Sequence, residues 1–188
     1  GNAFTATVSF DSDGENTITA VATLGEQTVT KELKVTIDSQ APILSAIAPI
    51  TGSIFGTTPI TLTGNVSDLS AVTVTINDEG IETTNGNFSK EIALTEGENS
   101  FTITCTDAAG HMTEQTVVYT LDTTPPSLTI ASPLEGTLLN SRTVTVSGTV
   151  QDANQVSVTI NGSAAAIDGS AFTKTVNIPE GASTINVQ

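Results

Sequence analysis

The sequence has few of the residue types on which most binding and catalytic sites depend. Its 188 residues include no tryptophan, one cysteine, one histidine and one tyrosine, and only 5 basic residues against 20 acidic ones. A single cysteine excludes an internal disulfide framework. The net charge of −15 repels phosphate backbones, so we expect no nucleic-acid partner. No apolar run reaches the about 18 residues that a membrane span needs, so we expect no span in this segment.

The chain also lacks the features with which a protein usually starts. It opens on GNAFTATVSF, without an initiator methionine or a signal peptide. This stretch already has the alternation of a strand. We therefore expect the sequence to be a segment of a longer protein or a processed product.

What the chain does have is an internal repeat. The stretch IDSQAPILSAIAP returns as LDTTPPSLTIASP 84 residues later, and the same shift places Gly64 on Gly148 and Phe88 on Phe172. A period near 84 is too long for a solenoid unit and fits a small β-sandwich. The predicted domains are the C-terminal half of a repeat with strands resembling E, F and G (1–38), a complete repeat (39–122) and a repeat that lacks its last strand (123–188).

Alternating apolar and hydroxyl residues predict strands along the whole chain, and helical periodicity is absent. In PITLTGNVSD, for example, Ile60, Leu62, Gly64 and Val66 share one face, and the threonines between them lie on the other. About seven such stretches per repeat, bounded by Gly, Asn, Asp and Pro, indicate an all-β fold of antiparallel two-sheet sandwiches.

The segments DTTPP, TVTVSGTV, VSVTING and IPEG, in that order, resemble bacterial Ig-like repeats that occur in tandem in large extracellular proteins. They are also similar to the Ig-like accessory modules of some glycan-active enzymes. The turn TCTDAAGH resembles the family's Asp-x-x-Gly-Asn turn, with His111 in the place of the asparagine. The resemblance covers essentially the whole chain and implies tandem Ig-like sandwiches at an extracellular or cell-surface location.

The resemblance implies a non-catalytic structural module: a stalk, spacer, adhesin or filament scaffold. The expected partners are neighbouring Ig-like repeats of the same protein or identical subunits in a polymer. In the polymer, a strand within residues 28–38 of one copy would complete the open third repeat of the next, head to tail. The alternative function is an accessory module of a carbohydrate-active enzyme. That alternative needs an exposed aromatic platform, and the shortage of aromatic residues argues against it.

No catalytic residue is predicted. A catalytic triad would need a histidine beside a nucleophile and a carboxylate, and His111, the only histidine, is interpreted as a turn residue. Cys105 aligns with an alanine of the first repeat and is interpreted as a small core residue. Phosphate loops and zinc-protease motifs are absent, so we expect no enzyme activity.

Acidic turns supply the candidate binding sites. In an Ig-like sandwich the incoming linker and two turns meet at one pole, so Asp38, Asp68 and Asp107 are expected to converge at the first junction. Asp122 and Asp152 are expected to do so at the second. Further carboxylates are expected near the two junctions, namely Asp11, Asp13 and Glu15 at the first, and Glu96 and Glu98 at the second.

Converging carboxylates with few Lys or Arg neighbours repel one another unless a cation neutralises them. Ca²⁺ takes 6–8 oxygen ligands in flexible geometry, so inter-domain Ca²⁺ is the expected cofactor, and no other is expected. The alternative is that each aspartate only caps its own turn.

Overall fold

The computed structural model describes residues 3–188, and every regular element among them is a β-strand. The chain divides into two compact units, one ending at Leu121 and the other starting at Asp122. The described residues contain no helix of the length and apolarity that a membrane crossing requires.

The first unit begins with a β-hairpin. Strands β1 (Gly14–Leu24) and β2 (Gln27–Ile37) pair antiparallel along their whole length. A two-residue turn joins them, and its Gly25 has a φ of 58°. Glycine adopts this conformation without steric cost, and it suits the twist of a tight hairpin.

A complete sandwich follows in the same unit. Its strands are β3 (Ile43–Ala48), β4 (Ile54–Phe55), β5 (Ile60–Ser67), β6 (Thr73–Ile76), β7 (Glu79–Ile81), β8 (Thr83–Thr84), β9 (Asn87–Ile92), β10 (Gly97–Thr106) and β11 (Met112–Leu121). One sheet has the order β3-β5-β9-β8, and the other has the order β4-β11-β10-β6-β7. All strand pairs in both sheets are antiparallel except β4 with β11, which is parallel.

The core of this sandwich is the apolar face that the alternation predicts. Along β5, the residues at the predicted inward positions are buried and those between them are more exposed. The fully or nearly buried apolar residues of the two sheets are Ile60, Leu62, Val66, Val74, Ile76, Phe88, Ile92, Leu94, Ile103, Cys105, Val117, Tyr119 and Leu121. The predicted Ig-like sandwich fold is therefore confirmed.

A glycine in the middle of β5 makes room for an aromatic ring. Gly64 pairs with Phe88 of β9, and a Cβ at Gly64 would lie 2.6 Å from Cε1 of that ring. In the second unit Gly148 pairs with Phe172, and a Cβ there would lie 2.6 Å from Cζ. The Gly and Phe matches of the sequence repeat are thus one packing feature that is present in both units.

The second unit contains most of another sandwich. Its strands are β12 (Ser127–Ser132), β13 (Thr143–Gln151), β14 (Thr159–Ile160), β15 (Ser163–Ala164), β16 (Ala166–Asp168) and β17 (Ala171–Asn177). One sheet has the order β12-β13-β17-β16, and β14 pairs with β15. Gln188 exchanges two backbone hydrogen bonds with Thr159, of 2.7 and 2.9 Å. The chain end therefore lies beside β14, as β10 lies beside β6 in the first unit.

The E-like strand expected before β1 is not present in the described part of that stretch. Residues 3–13 contain no strand, and Phe4 is 83% exposed. In the complete sandwich the equivalent strand, β9, is held between β5 and β8. No described residue before β1 forms a counterpart of β9 or of either neighbouring strand.

Candidate metal centre

Three segments of the first unit place acidic or imidazole side chains at one end of its sandwich. Asp38 follows β2 directly, Asp68 follows β5, and the turn between β10 and β11 carries both Asp107 and His111. These are the linker and the two turns that an Ig-like sandwich brings together at one pole.

Asp107 is the most firmly held of these residues. Its side chain is fully buried, and its Oδ1 accepts hydrogen bonds from the backbone N–H groups of Gly110 at 2.6 Å and His111 at 2.8 Å. Its Oδ2 lies 2.9 Å from Nδ1 of His111. The turn therefore closes around a carboxylate, and His111 is fixed by that carboxylate.

Asp107 and His111 shift each other's pKa. The hydrogen bond with Asp107 raises the pKa of His111 against the opposing effect of burial, and the charges of Asp107, Asp38 and Asp68 raise it further. Burial raises the pKa of Asp107, but the hydrogen bonds from His111 and Gly110 outweigh it, so the net pKa is lowered. The negative field of the pole therefore favours a positive charge at His111.

Asp38 comes to the same place from the hairpin. Its Oδ2 is buried and has no hydrogen-bond partner among the described residues, while its Oδ1 lies 3.5 Å from the backbone N of Gln40. One ligand atom each from Asp38, Asp107 and His111 lie within 4.8 Å of one another. Two carboxylates and an imidazole thus converge, which is a donor set that can hold a divalent cation.

Basic side chains do not neutralise this cluster. Within residues 3–188 the Lys and Arg ion pairs are Lys34 with Glu15, Lys90 with Glu79, and Arg142 with Glu180. Asp38 and Asp107 therefore face only the imidazole as a source of positive charge.

Asp68 lies outside this group of three, and its expected role as a metal ligand stays a prediction. Its Oδ2 accepts from the backbone N of Ser70 at 3.2 Å and from the Ser70 hydroxyl at 3.1 Å. The Ser70 hydroxyl oxygen in turn accepts from the backbone N of Ala108 at 3.3 Å. Asp68 thus caps its own turn and ties that turn to the one holding Asp107, outside the three-residue group.

Two of the carboxylates expected before the linker, Asp13 and Glu15, also have partners. Asp13 Oδ2 accepts from the hydroxyl of Ser39 at 2.9 Å, and Glu15 pairs with Lys34 at 2.8 Å. Both contacts lie within the first unit: the first attaches the base of the hairpin to the linker, and the second joins β1 to β2.

In the second unit Asp122 and Asp152 are connected through one asparagine. Asp152 Oδ1 accepts from the backbone N of Asn154 at 2.8 Å, and the side-chain amide of Asn154 donates to Asp122 Oδ2. Asp122 Oδ1 also accepts from the backbone N of Thr124 at 3.0 Å. No third carboxylate or imidazole of the described part of this unit joins the pair. The Ca²⁺ expected at the two junctions stays a prediction.

His111 is the residue of this site that the sequence analysis missed. It was assigned to the turn alone, because a single histidine among hydroxyl-rich strands gives no triad pattern. The available signal was its position four residues after Asp107, across a turn closed by Gly110 with a φ of 97°. That closed turn brings the imidazole back onto the carboxylate.

The structure also places the one thiol. Cys105 is fully buried in β10, and burial raises the pKa of its thiol. A buried thiol with a raised pKa holds little thiolate and packs as a small apolar side chain.

Comparisons with known proteins match one family model, and the similar proteins include a peptidase and a bacterial adhesin. The family model described as glucodextranase, domain B, matches residues 42–123 and again residues 126–188. Bacillopeptidase F of Bacillus subtilis (strain 168) is 28% identical over 160 residues, which cover 82% of this chain and 11% of that protein. A solved structure from work on host cell surface retention of a bacterial ice-binding adhesin is 21% identical, with a TM-score of 0.31. That match covers 89% of this chain and 64% of the other.

Proposed function

The chain belongs to the glucodextranase domain B family, and we propose that it serves as a non-catalytic structural module, a stalk or spacer, in an extracellular protein. The extracellular location rests on the resemblance of the repeats to those of large extracellular proteins. The role as a stalk or spacer that withstands tension rests on how the strands of the complete sandwich pair.

The names of the related proteins support a role that is independent of any one reaction. The family description names a glucodextranase, and the similar protein is named a peptidase. These are two different enzyme chemistries. A module similar to parts of both is better explained by a task that both proteins share, such as spacing their other domains.

The observation that carries the proposal is the parallel pairing of β4 with β11. Ile54 and Phe55, near the start of the sandwich, lie beside Thr120 and Leu121 at its end. The contact continues upstream, where the backbone N of Gly52 donates to the Val118 carbonyl at 2.7 Å.

This pairing sets how the sandwich responds to tension. When the chain is stretched, β4 is pulled from its N-terminal end and β11 from its C-terminal end. Because the two strands are parallel, these opposite pulls slide them past each other. All the hydrogen bonds between the strands are then loaded together, whereas the bonds of an antiparallel hairpin pulled from its two ends break one after another. The geometry therefore favours a module that resists extension until it yields in one step.

Single-molecule force spectroscopy on the full chain between handle domains tests the proposal. Thr51→Val removes the hydroxyl that accepts from the backbone N of Val118 at 2.9 Å, and we expect it to lower the unfolding force of the sandwich. Thr61→Val is the matched control, because Thr61 is exposed on β5 away from this contact. Equal unfolding forces for the two variants would contradict a load path through β4 and β11.

The partner that we propose is another Ig-like repeat, in the same protein or in an identical subunit. One face of the hairpin carries Leu33, which is paired with Ile18 and is 59% exposed. The same face of the equivalent strand β11 is buried in its sandwich at Val117. The hairpin therefore offers an apolar face of the kind that a second sheet covers.

Sedimentation of the full chain over a range of concentrations tests this partner. If identical subunits supply the covering sheet, the chain self-associates and Leu33→Ser weakens the association. Val21→Ser is the control, since Val21 is also 59% exposed but lies on the opposite face of the hairpin. A chain that stays monomeric at all concentrations would exclude the identical subunit and leave a neighbouring repeat.

The family name favours one second function, that of an accessory module which binds glycan for an attached enzyme. Glycan-binding modules usually stack sugars on exposed aromatic rings. Among the described aromatic residues only Phe4 is largely exposed, while Phe88, Phe172 and Tyr119 are buried. Retardation of the chain in a gel containing soluble glucan would support this second function over the structural one.

A further inference from the structure

The group formed by Asp38, Asp107 and His111 combines donors that are remote in the sequence. Asp38 ends the hairpin, whereas the other two residues lie in the turn between β10 and β11, about 70 residues later. Their ligand atoms nevertheless lie within 4.8 Å of one another. An ion bound by all three side chains would connect the hairpin to the sandwich.

One oxygen of Asp38 is buried without a hydrogen-bond partner among the described residues. Nearly all buried polar atoms in proteins have a hydrogen-bond partner, and leaving one without a partner is costly. Asp107 already satisfies both of its oxygens within its own turn. Asp38 Oδ2, in contrast, is buried beside a second carboxylate and has no donor among the described residues. A cation at this point would supply what that oxygen lacks.

The donor types decide which cation fits. Ca²⁺ prefers 6–8 oxygen ligands and has little affinity for imidazole. An imidazole with two carboxylates suits a first-row transition metal, and Zn²⁺ sites commonly combine three protein ligands with one water. We propose that Asp38, Asp107 and His111 form a site for a divalent transition-metal ion of the Zn²⁺ type, which joins the end of β2 to the turn between β10 and β11.

The distances are compatible with this ion after a small contraction. Zn²⁺ bonds nitrogen and carboxylate oxygen at about 2.0–2.2 Å, so tetrahedral ligand atoms lie roughly 3.3 Å apart. The ligand atoms lie within 4.8 Å of one another, so the widest separation needs to shrink by at most about 1.5 Å. The side chain of His111 is 39% exposed, which leaves room for a water ligand. Binding requires a neutral imidazole, so the affinity for the ion should fall as the pH is lowered.

Titration of the full chain with Co²⁺ and Zn²⁺ tests the site. Co²⁺ bound to a mixed nitrogen and oxygen set gives visible ligand-field absorption, and Zn²⁺ should displace it. Asp38→Asn and His111→Asn each remove one ligand and keep a side chain of similar size. We expect each to lower the Zn²⁺ affinity at least about 100-fold, more than the loss of an outer-shell partner typically costs. Glu114→Gln, an exposed carboxylate on β11, is the control for lost charge and should leave the affinity unchanged.

The outcomes separate this site from its alternatives. Absence of Co²⁺ absorption with the wild type would overturn the proposal. Tighter binding of Ca²⁺ than of Zn²⁺ would also overturn it and would favour an oxygen-only site. If Asp38→Asn binds Zn²⁺ as tightly as the wild type, Asp38 is not a ligand and the three-residue site is refuted. Circular dichroism of each variant without metal establishes that it is folded before its affinity is interpreted.

Discussion

Replacing Gly64 by alanine should destabilise the sandwich, although the same change stabilises most strands. Glycine in a strand interior is typically worse than alanine by about 0.5–1 kcal/mol, because it loses more conformational freedom on folding. At Gly64, however, the new Cβ would lie 2.6 Å from Cε1 of Phe88. That ring is 3% exposed and packed on all sides, so it has little room to move away.

The expected loss follows from the cost of overpacking. Adding a methyl group to a well-packed core costs about 1–3 kcal/mol, which exceeds the entropic gain from alanine. A net loss of roughly 1–2 kcal/mol corresponds to a fall in Tm of roughly 5–15 °C for a domain of this size. Gly148→Ala should cost more, because its Cβ would also meet the backbone carbonyl oxygen of Thr129, and backbone yields less readily than a side chain.

Thermal and urea denaturation of the full chain, followed by circular dichroism, checks this prediction. Gly80→Ala is the matched control, because a Cβ at Gly80, on the exposed edge strand β7, meets nothing within 4 Å. It should be neutral or stabilising. A Gly64→Ala variant as stable as Gly80→Ala would refute the interpretation that the glycine is required by the ring. Replacing Phe88 by leucine in the Gly64→Ala background should recover part of the loss if the clash is the cause.

Three further predictions concern the same sandwich. Tyr119→Phe should lower the free energy of unfolding by about 1–2 kcal/mol in urea denaturation. The buried hydroxyl donates to the Pro49 carbonyl at 2.7 Å, and its loss leaves that carbonyl unpaired. An unchanged free energy of unfolding would mean that water replaces the bond. Cys105 should react with a thiol reagent only in denaturant, because it is fully buried and its thiol pKa is raised; rapid reaction of the native chain would contradict the burial. Glu79→Gln should lower the free energy of unfolding by less than about 1 kcal/mol in the same assay, because exposed ion pairs contribute little. The side chains of Lys90 and Glu79 are 33% and 66% exposed. A larger loss of stability would show that Glu79 has a role beyond this pair.

The sheets and their core could be predicted because they depend on local patterns. Along β5 each side chain's position follows from alternation, so Leu62 and Val66 point inward whatever the rest of the chain does. The Gly64 and Phe88 pair could be recognised from its recurrence as Gly148 and Phe172. Alternation says nothing about irregularities, however. It gave no sign that Ala46 adopts a φ of 52° where the register of β3 shifts.

The candidate metal centre was less predictable, because it depends on how remote segments meet. The Ig-like resemblance predicted that Asp38 and Asp107 lie at one pole of the sandwich. The structure places both there, together with His111. The resemblance also predicted Asp68 at this pole, where the sequence left metal binding and turn capping as alternatives, and Ser70 donates two hydrogen bonds to its carboxylate. Which carboxylate remains unpartnered is decided by hydrogen bonds within each turn, and these appear only once the side chains are placed.

The load-bearing role is tested most directly by the force at which the wild-type chain extends. The β1–β2 hairpin is an internal comparison, because its strands are antiparallel and its two ends lie side by side. We predict that the hairpin opens at low force, and that the complete sandwich then yields at a higher force in one step of roughly 250 Å, the length of about 80 extended residues less the span of the folded sandwich. Gradual extension of the sandwich, or opening at the same force as the hairpin, would contradict the account.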